Sequence, residues 1–161
     1  MRPKIIAGNW KMYKTPEESR DLVNGIKSKL SFPLGTTKVI VCPPFTSLSL
    51  VQSLAAGTPI ALGAQNVYLE DEGAFTGEIS PTMLKAVGCE YVILGHSERR
   101  QYFGETNEFI NRKVRKAISA GLVPIVCVGE TLEQREKNIT DQVVTTQVKA
   151  VLKELASADV E

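Results

Sequence analysis

Short β-branched runs alternate with longer stretches of helical spacing along this whole chain, and few folds accept that rhythm. The runs are Lys4 to Ala7, Lys38 to Cys42, Ile60 to Gly63, Tyr91 to Leu94 and Val123 to Val128, each bounded by Gly or Pro. Between them, Leu22, Val23, Ile26 and Leu30 recur with a period near 3.6, as do Phe109, Ile110, Val114, Ala117 and Ile118, then Ile139, Val143, Val148, Val151 and Leu155. Near-continuous apolar strands covered by amphipathic helices make a parallel sheet with right-handed crossovers, so the fold class is α/β. Helix starts are written in the same string. Thr15-Pro16-Glu17-Glu18 and Thr131-Leu132-Glu133-Gln134 are capping boxes, and Ser80-Pro81 places Pro at the first helical position.

At 161 residues with no low-complexity linker, the chain is expected to form one domain, residues 1–161. It is 43% hydrophobic and 23% charged, which excludes the disordered classes. A formal charge of +1 gives no electrostatic reason for nucleic acid or an anionic membrane, and no apolar run approaches the roughly 18 to 20 residues of a bilayer span. Three cysteines, Cys42, Cys89 and Cys127, without a CxxC pair are read as buried thiols of a cytoplasmic protein. A single histidine, His96, excludes a multi-histidine metal site.

The longest irregular segment, Gln65 to Glu78, exceeds the usual 2 to 6 residues of a βα loop by about twofold. Its Val67, Tyr68, Leu69 and Phe75 favour a docked loop. In a parallel α/β sheet the ligand site lies at the carboxyl ends of the strands. Those ends read Asn9-Trp10-Lys11, Gln65-Asn66, His96-Ser97-Glu98 and Gly129-Glu130. Along an extended segment Asn9 and Lys11 point to one side and Trp10 to the other. His96 at a strand-to-helix turn is a general acid, an electrophile held neutral by nearby backbone N–H groups, or a structural residue. Arg99-Arg100 is most simply a paired surface cluster. Neither GxGxxG, GxxxxGK[ST] nor GxSxG occurs, so dinucleotide, P-loop and α/β-hydrolase readings fail. An open five-strand sheet of flavodoxin type suits the length.

Five motifs, in order, resemble one family: Ala7-Gly8-Asn9-Trp10-Lys11-Met12, Gly63-Ala64-Gln65-Asn66, Gly73-Ala74-Phe75-Thr76-Gly77-Glu78, Leu94-Gly95-His96-Ser97-Glu98-Arg99-Arg100 and Cys127-Val128-Gly129-Glu130. The family is triosephosphate isomerase. The resemblance implies five βα units of a (β/α)8 TIM barrel, truncated, since the family chain has about 250 residues and eight units. It implies interconversion of dihydroxyacetone phosphate and glyceraldehyde 3-phosphate through an enediolate, with no cofactor and no metal. That isomerase is itself a standard example of a histidine kept neutral by a helix N-terminus.

By the same likeness Lys11 supplies positive charge to the substrate oxygens, Asn9 helps to position the substrate, His96 polarises its carbonyl, and Glu98 is a supporting carboxylate. Gln65, Phe75, Thr76, Gly77 and Glu78 fall on the loop that enters a second subunit of a homodimer, beside its Asn9 and Lys11 region. The general-base glutamate, the lid loop and the C-terminal phosphate loops belong to the three units beyond Glu161. The 161-residue chain alone is therefore expected to be inactive. The alternative expectation is a non-enzymatic fragment that associates with an intact subunit through the 65–78 loop.

Overall fold

In the computed structural model, which describes residues 3–30 and 34–160, five parallel strands form one sheet: β1 (Ile5–Asn9), β2 (Lys38–Cys42), β3 (Ile60–Ala64), β4 (Tyr91–Leu94) and β5 (Val123–Val126). They pair strictly in chain order, β1-β2-β3-β4-β5, all parallel. That order makes a half-barrel of βα units and not a doubly wound sheet, whose strand sequence would reverse at a switch point. β1 runs two residues further than its apolar run, to Asn9 opposite Cys42. β5 stops two residues short of its run, because the ladder with β4 ends at Leu94 opposite Val126 and one further bond, Cys127 N–H to Leu94 O at 2.8 Å.

Seven α-helices occur among the described residues: α1 (Pro16–Lys29), α2 (Leu48–Ala55), α3 (Pro81–Ala86), α4 (Ser97–Phe103), α5 (Asn107–Ser119), α6 (Leu132–Glu136) and α7 (Thr140–Val151). The capping boxes form as written. Thr15 N–H donates to Glu18 at 2.8 Å and Thr131 N–H to the Gln134 side chain at 2.9 Å. Such caps satisfy amides that the helix itself leaves orphaned, a term of about 1 kcal/mol each.

Strand alternation divides the apolar residues into two layers. Val39, Val41, Leu62, Val92 and Leu94 face the helices, where they pack with Val23, Val51, Leu84, Ile110, Val114 and Ala117. Ile40, Cys42, Tyr91 and Ile93 face the hollow of the curved sheet. The inner layer is tight enough to dictate Gly63, since a Cβ there would lie 2.6 Å from Cys42 Sγ. β1 and β5 each have one strand neighbour, and Ile6 on β1 is 63% exposed. Among the described residues no helix is long and apolar enough to cross a membrane.

Candidate active site

The parallel sheet delivers every strand end to one rim, and the polar groups gather there. β1 stops at Asn9, and Lys11 does not continue the strand: its φ is +54°. This corrects the extended reading of residues 9–11. The left-handed turn, closed by Lys11 N–H donating to Asn9 Oδ1 at 3.0 Å, is what separates the neighbours. Trp10 stays with the sheet, its N–H on Cys42 O at 3.1 Å and its ring in the core. Lys11 swings to the rim, where its Nζ donates to Glu98 Oε1 at 2.7 Å.

Gln65, at the root of the long loop, holds this turn in place. Its Nε2 donates to Lys11 O and to Cys42 O, both at 2.8 Å. A turn with a non-glycine residue at positive φ costs on the order of 1 to 3 kcal/mol and persists where its surroundings over-determine it. Here an amide, an ion pair and a side-chain cap do so.

His96 is the N-cap of α4, and its Nδ1 accepts the Glu98 N–H at 3.2 Å. Glu98 Oε2 also lies 3.4 Å from this nitrogen; in a neutral ring whose Nδ1 accepts the amide, Nε2 is the N–H donor. The same Glu98 that donates its amide to His96 receives the Lys11 ammonium on its side chain. Hydrogen bonding to Glu98 holds Lys11 above the ordinary lysine range, and hydrogen bonding from Lys11 holds the Glu98 carboxyl below its ordinary value. Asn9, Lys11, Gln65, His96 and Glu98 line one open cavity of about 610 Å³. A cation, an imidazole and an amide thus converge on one space, which suits a ligand with an anionic group and a carbonyl oxygen.

Around this cavity runs an apolar rim of Met12, Tyr13, Phe45, Tyr102 and Phe103, of which Met12 is 94% exposed. The 65–78 loop is docked at its base and free at its tip. Val67 is buried, Tyr68 N–H donates to Ile79 O at 2.9 Å, and Asp71 pairs with Lys116 on α5 at 2.5 Å. Phe75 lies against Tyr68, with ring centroids 4.7 Å apart, while Thr76, Gly77 and Glu78 are exposed. The tip residues do not line their own chain's cavity.

Three further groups shape the site through a burial that the sequence did not show. Glu105 is buried and accepts from Lys113 Nζ and Arg99 Nε, each at 2.7 Å, and Lys113, 1% exposed, also donates to Asn66 Oδ1 at 2.8 Å. Burial pushes the Glu105 carboxyl up, but the bonds from Lys113 and Arg99 outweigh it and leave the group below its ordinary value. Lys113 sits at the i+3 position of the Ile110–Ala117 apolar stripe, and a lysine on such a stripe is the signal that could have revealed it. Arg100 is likewise partly buried, donating to Gly95 O, Asn107 Oδ1 and Cys127 O. Arg99-Arg100 is therefore no surface cluster: both side chains are committed to interior acceptors, because the short α4 turns them back under the strand ends.

The family model described as triosephosphate isomerase matches residues 4–161. Curated proteins named triosephosphate isomerase are similar over nearly the whole chain. That of Roseiflexus castenholzii is 57% identical over 94% of this chain, that of Chloroflexus aurantiacus 56% over 96%, and that of Dictyoglomus turgidum 54% over 100%. In turn the matches cover 59%, 62% and 64% of those relatives, so the chain spans about three fifths of their length. With five parallel βα units in barrel order and Asn9, Lys11 and His96 on one strand-end rim, the sequence match and the geometry agree that this chain belongs to the triosephosphate isomerase family.

Proposed function

We propose that this chain carries the electrophilic half of an isomerase site that interconverts dihydroxyacetone phosphate and glyceraldehyde 3-phosphate. The observation that carries the reading is the Lys11–Glu98–His96 cluster, in which one residue fixes both the ammonium and the imidazole. Lys11 offsets the substrate's phosphate and the charge that develops on its oxygens. Asn9 helps to position the substrate, and the His96 Nε2–H donates to the carbonyl oxygen as the enediolate forms. Glu98 acts as a positioning carboxylate.

Proton abstraction next to a carbonyl needs a base, a contribution of about 10² to 10⁴ in rate. Glu98 is tied to Lys11 and Glu130 to Arg135, which leaves neither free for that step. The chain alone is accordingly inactive, and turnover needs the remaining units that its relatives possess. Turnover of dihydroxyacetone phosphate, measured for the chain alone and after mixing with the remaining units of a relative, tests this. Activity in the mixture that vanishes with His96→Ala is expected. Activity of the chain by itself would overturn the half-site reading.

A homodimer completes the picture, with the exposed Thr76–Gly77–Glu78 tip entering the rim of Met12, Phe45 and Tyr102 on a second subunit. The same free tip and rim also favour the non-enzymatic reading, association of this chain with an intact subunit. Sedimentation with and without an intact relative separates the two. A mixed species formed by Thr76 wild type and lost in Thr76→Arg supports association through the loop.

A further inference from the structure

Where β4 and β5 leave their ladder, two carbonyl groups are brought together that cannot bond each other. Gly95 turns out of the strand at φ +69°, and its carbonyl and that of Cys127 both meet the guanidinium of Arg100. Arg100 Nε donates to Gly95 O at 2.8 Å, Nη2 to Cys127 O at 3.2 Å and Nη1 to Asn107 Oδ1 at 2.6 Å. Gly95 is the residue from which His96 departs. Arg100 N–H in turn donates to His96 O at 3.0 Å. His96, the first turn of α4, Arg100 and Gly95 thereby form a closed circuit, with Cys127 and Asn107 tied to its outside.

We infer that Arg100 is a positioning residue for His96: its side chain locks the Gly95 carbonyl from which His96 departs, beside the first helical turn that its own N–H closes on His96 O, and so keeps Nδ1 on the Glu98 amide and Nε2–H toward the cavity. A planar fork with several fixed donors can serve three acceptors at once, which an ammonium on a flexible stem cannot. The functional weight of this inference rests on the proposed role of His96, whereas its geometry does not.

The chain has a single histidine, so its ring nitrogens can be followed without ambiguity. Long-range ¹H–¹⁵N spectra of the whole chain are expected to show two well-separated ring shifts, the pattern of the Nε2–H tautomer. In Arg100→Gln the two shifts should move toward each other as tautomers mix, and the Glu98 amide should move with them. Val51→Ala, in the helix-facing core, should lower thermal stability and leave the ring unchanged. A wild-type ring pattern in Arg100→Gln, or an equal change in Val51→Ala, would overturn the inference. Should Arg100→Gln not fold, Arg100→Lys gives the same readout: partial convergence supports the role and an unchanged ring refutes it. Titrating dihydroxyacetone phosphate onto the isotope-labelled chain combined with the remaining units of a relative addresses the functional reading separately, since an unmoved His96 there would sink the proposed substrate and leave the Arg100 result standing.

Discussion

Lys11 and Glu98, 87 positions apart in the chain, meet at 2.7 Å on the rim of the half-barrel. The contact joins the end of β1 to the start of α4, so one ion pair links two strand mouths that are not neighbours in the sheet. In a barrel completed with the remaining units, Lys11→Met should lower kcat/KM by about 10² to 10³, the range for losing one preorganised electrostatic group, with the fold unchanged. Near-normal kcat/KM would contradict the role given to Lys11. Trp10→Phe, on the core side of the same turn, should cost stability and leave turnover largely intact.

Glu105 is the acceptor for two cations, one of them, Lys113, fully buried. Glu105→Gln would strand Lys113 inside the protein, and breaking a buried pair from one side costs about 3 to 5 kcal/mol. Urea unfolding should show that loss as a lower midpoint with an unchanged slope. A midpoint like the wild type would mean that Lys113 finds another partner.

The same carboxylate sets an acid limit. Because Glu105 titrates below its ordinary value in the folded chain, its contribution is complete above the unfolded carboxylate value near 4.3 and disappears as pH falls through the depressed one. Thermal midpoints measured from pH 6 downward should therefore fall. In the paired substitution Glu105→Leu with Lys113→Met the fall should be shallower, and an identical slope would assign the acid sensitivity elsewhere.

Burial pushes the Cys42 and Cys89 thiols up to about 12, and Cys127 also upward, though the nearby Arg100 works against it. At pH 8 roughly one thiol in ten thousand of the first two is then a thiolate, the form that reacts. Iodoacetamide should leave Cys42 and Cys89 untouched in the folded chain and modify Cys127 first. Mass spectrometry of short incubations reads the order, and early alkylation of Cys42 would show that the inner layer opens.

The elements that local chemistry dictates were legible. Thr15, Ser80 and Thr131 announce their helices through side-chain oxygens that act within three residues. The apolar runs announce strands because all of β2 beyond Lys38, and all of β4, is buried. Lys11 was legible as a strand-end residue, but its geometry was not. A positive φ there depends on Gln65 and Glu98, 54 and 87 positions away. Gln65 itself read as part of an association loop, and the folded chain turns its amide inward onto Lys11 O. Arg100 and Lys113 stayed hidden for a similar reason: charged side chains look solvated in a string, and their burial follows from acceptors supplied by other elements.

Pairing in strict chain order has a consequence for how the molecule comes into being. Each strand bonds to the one synthesised just before it, across a connection of fewer than about 30 residues that carries one or two helices, so no contact waits for a distant part of the chain. β2 can settle on β1 while β3 is still to be made, and so on along the sheet. Every new strand finds its template already in place, and assembly can advance in step with translation.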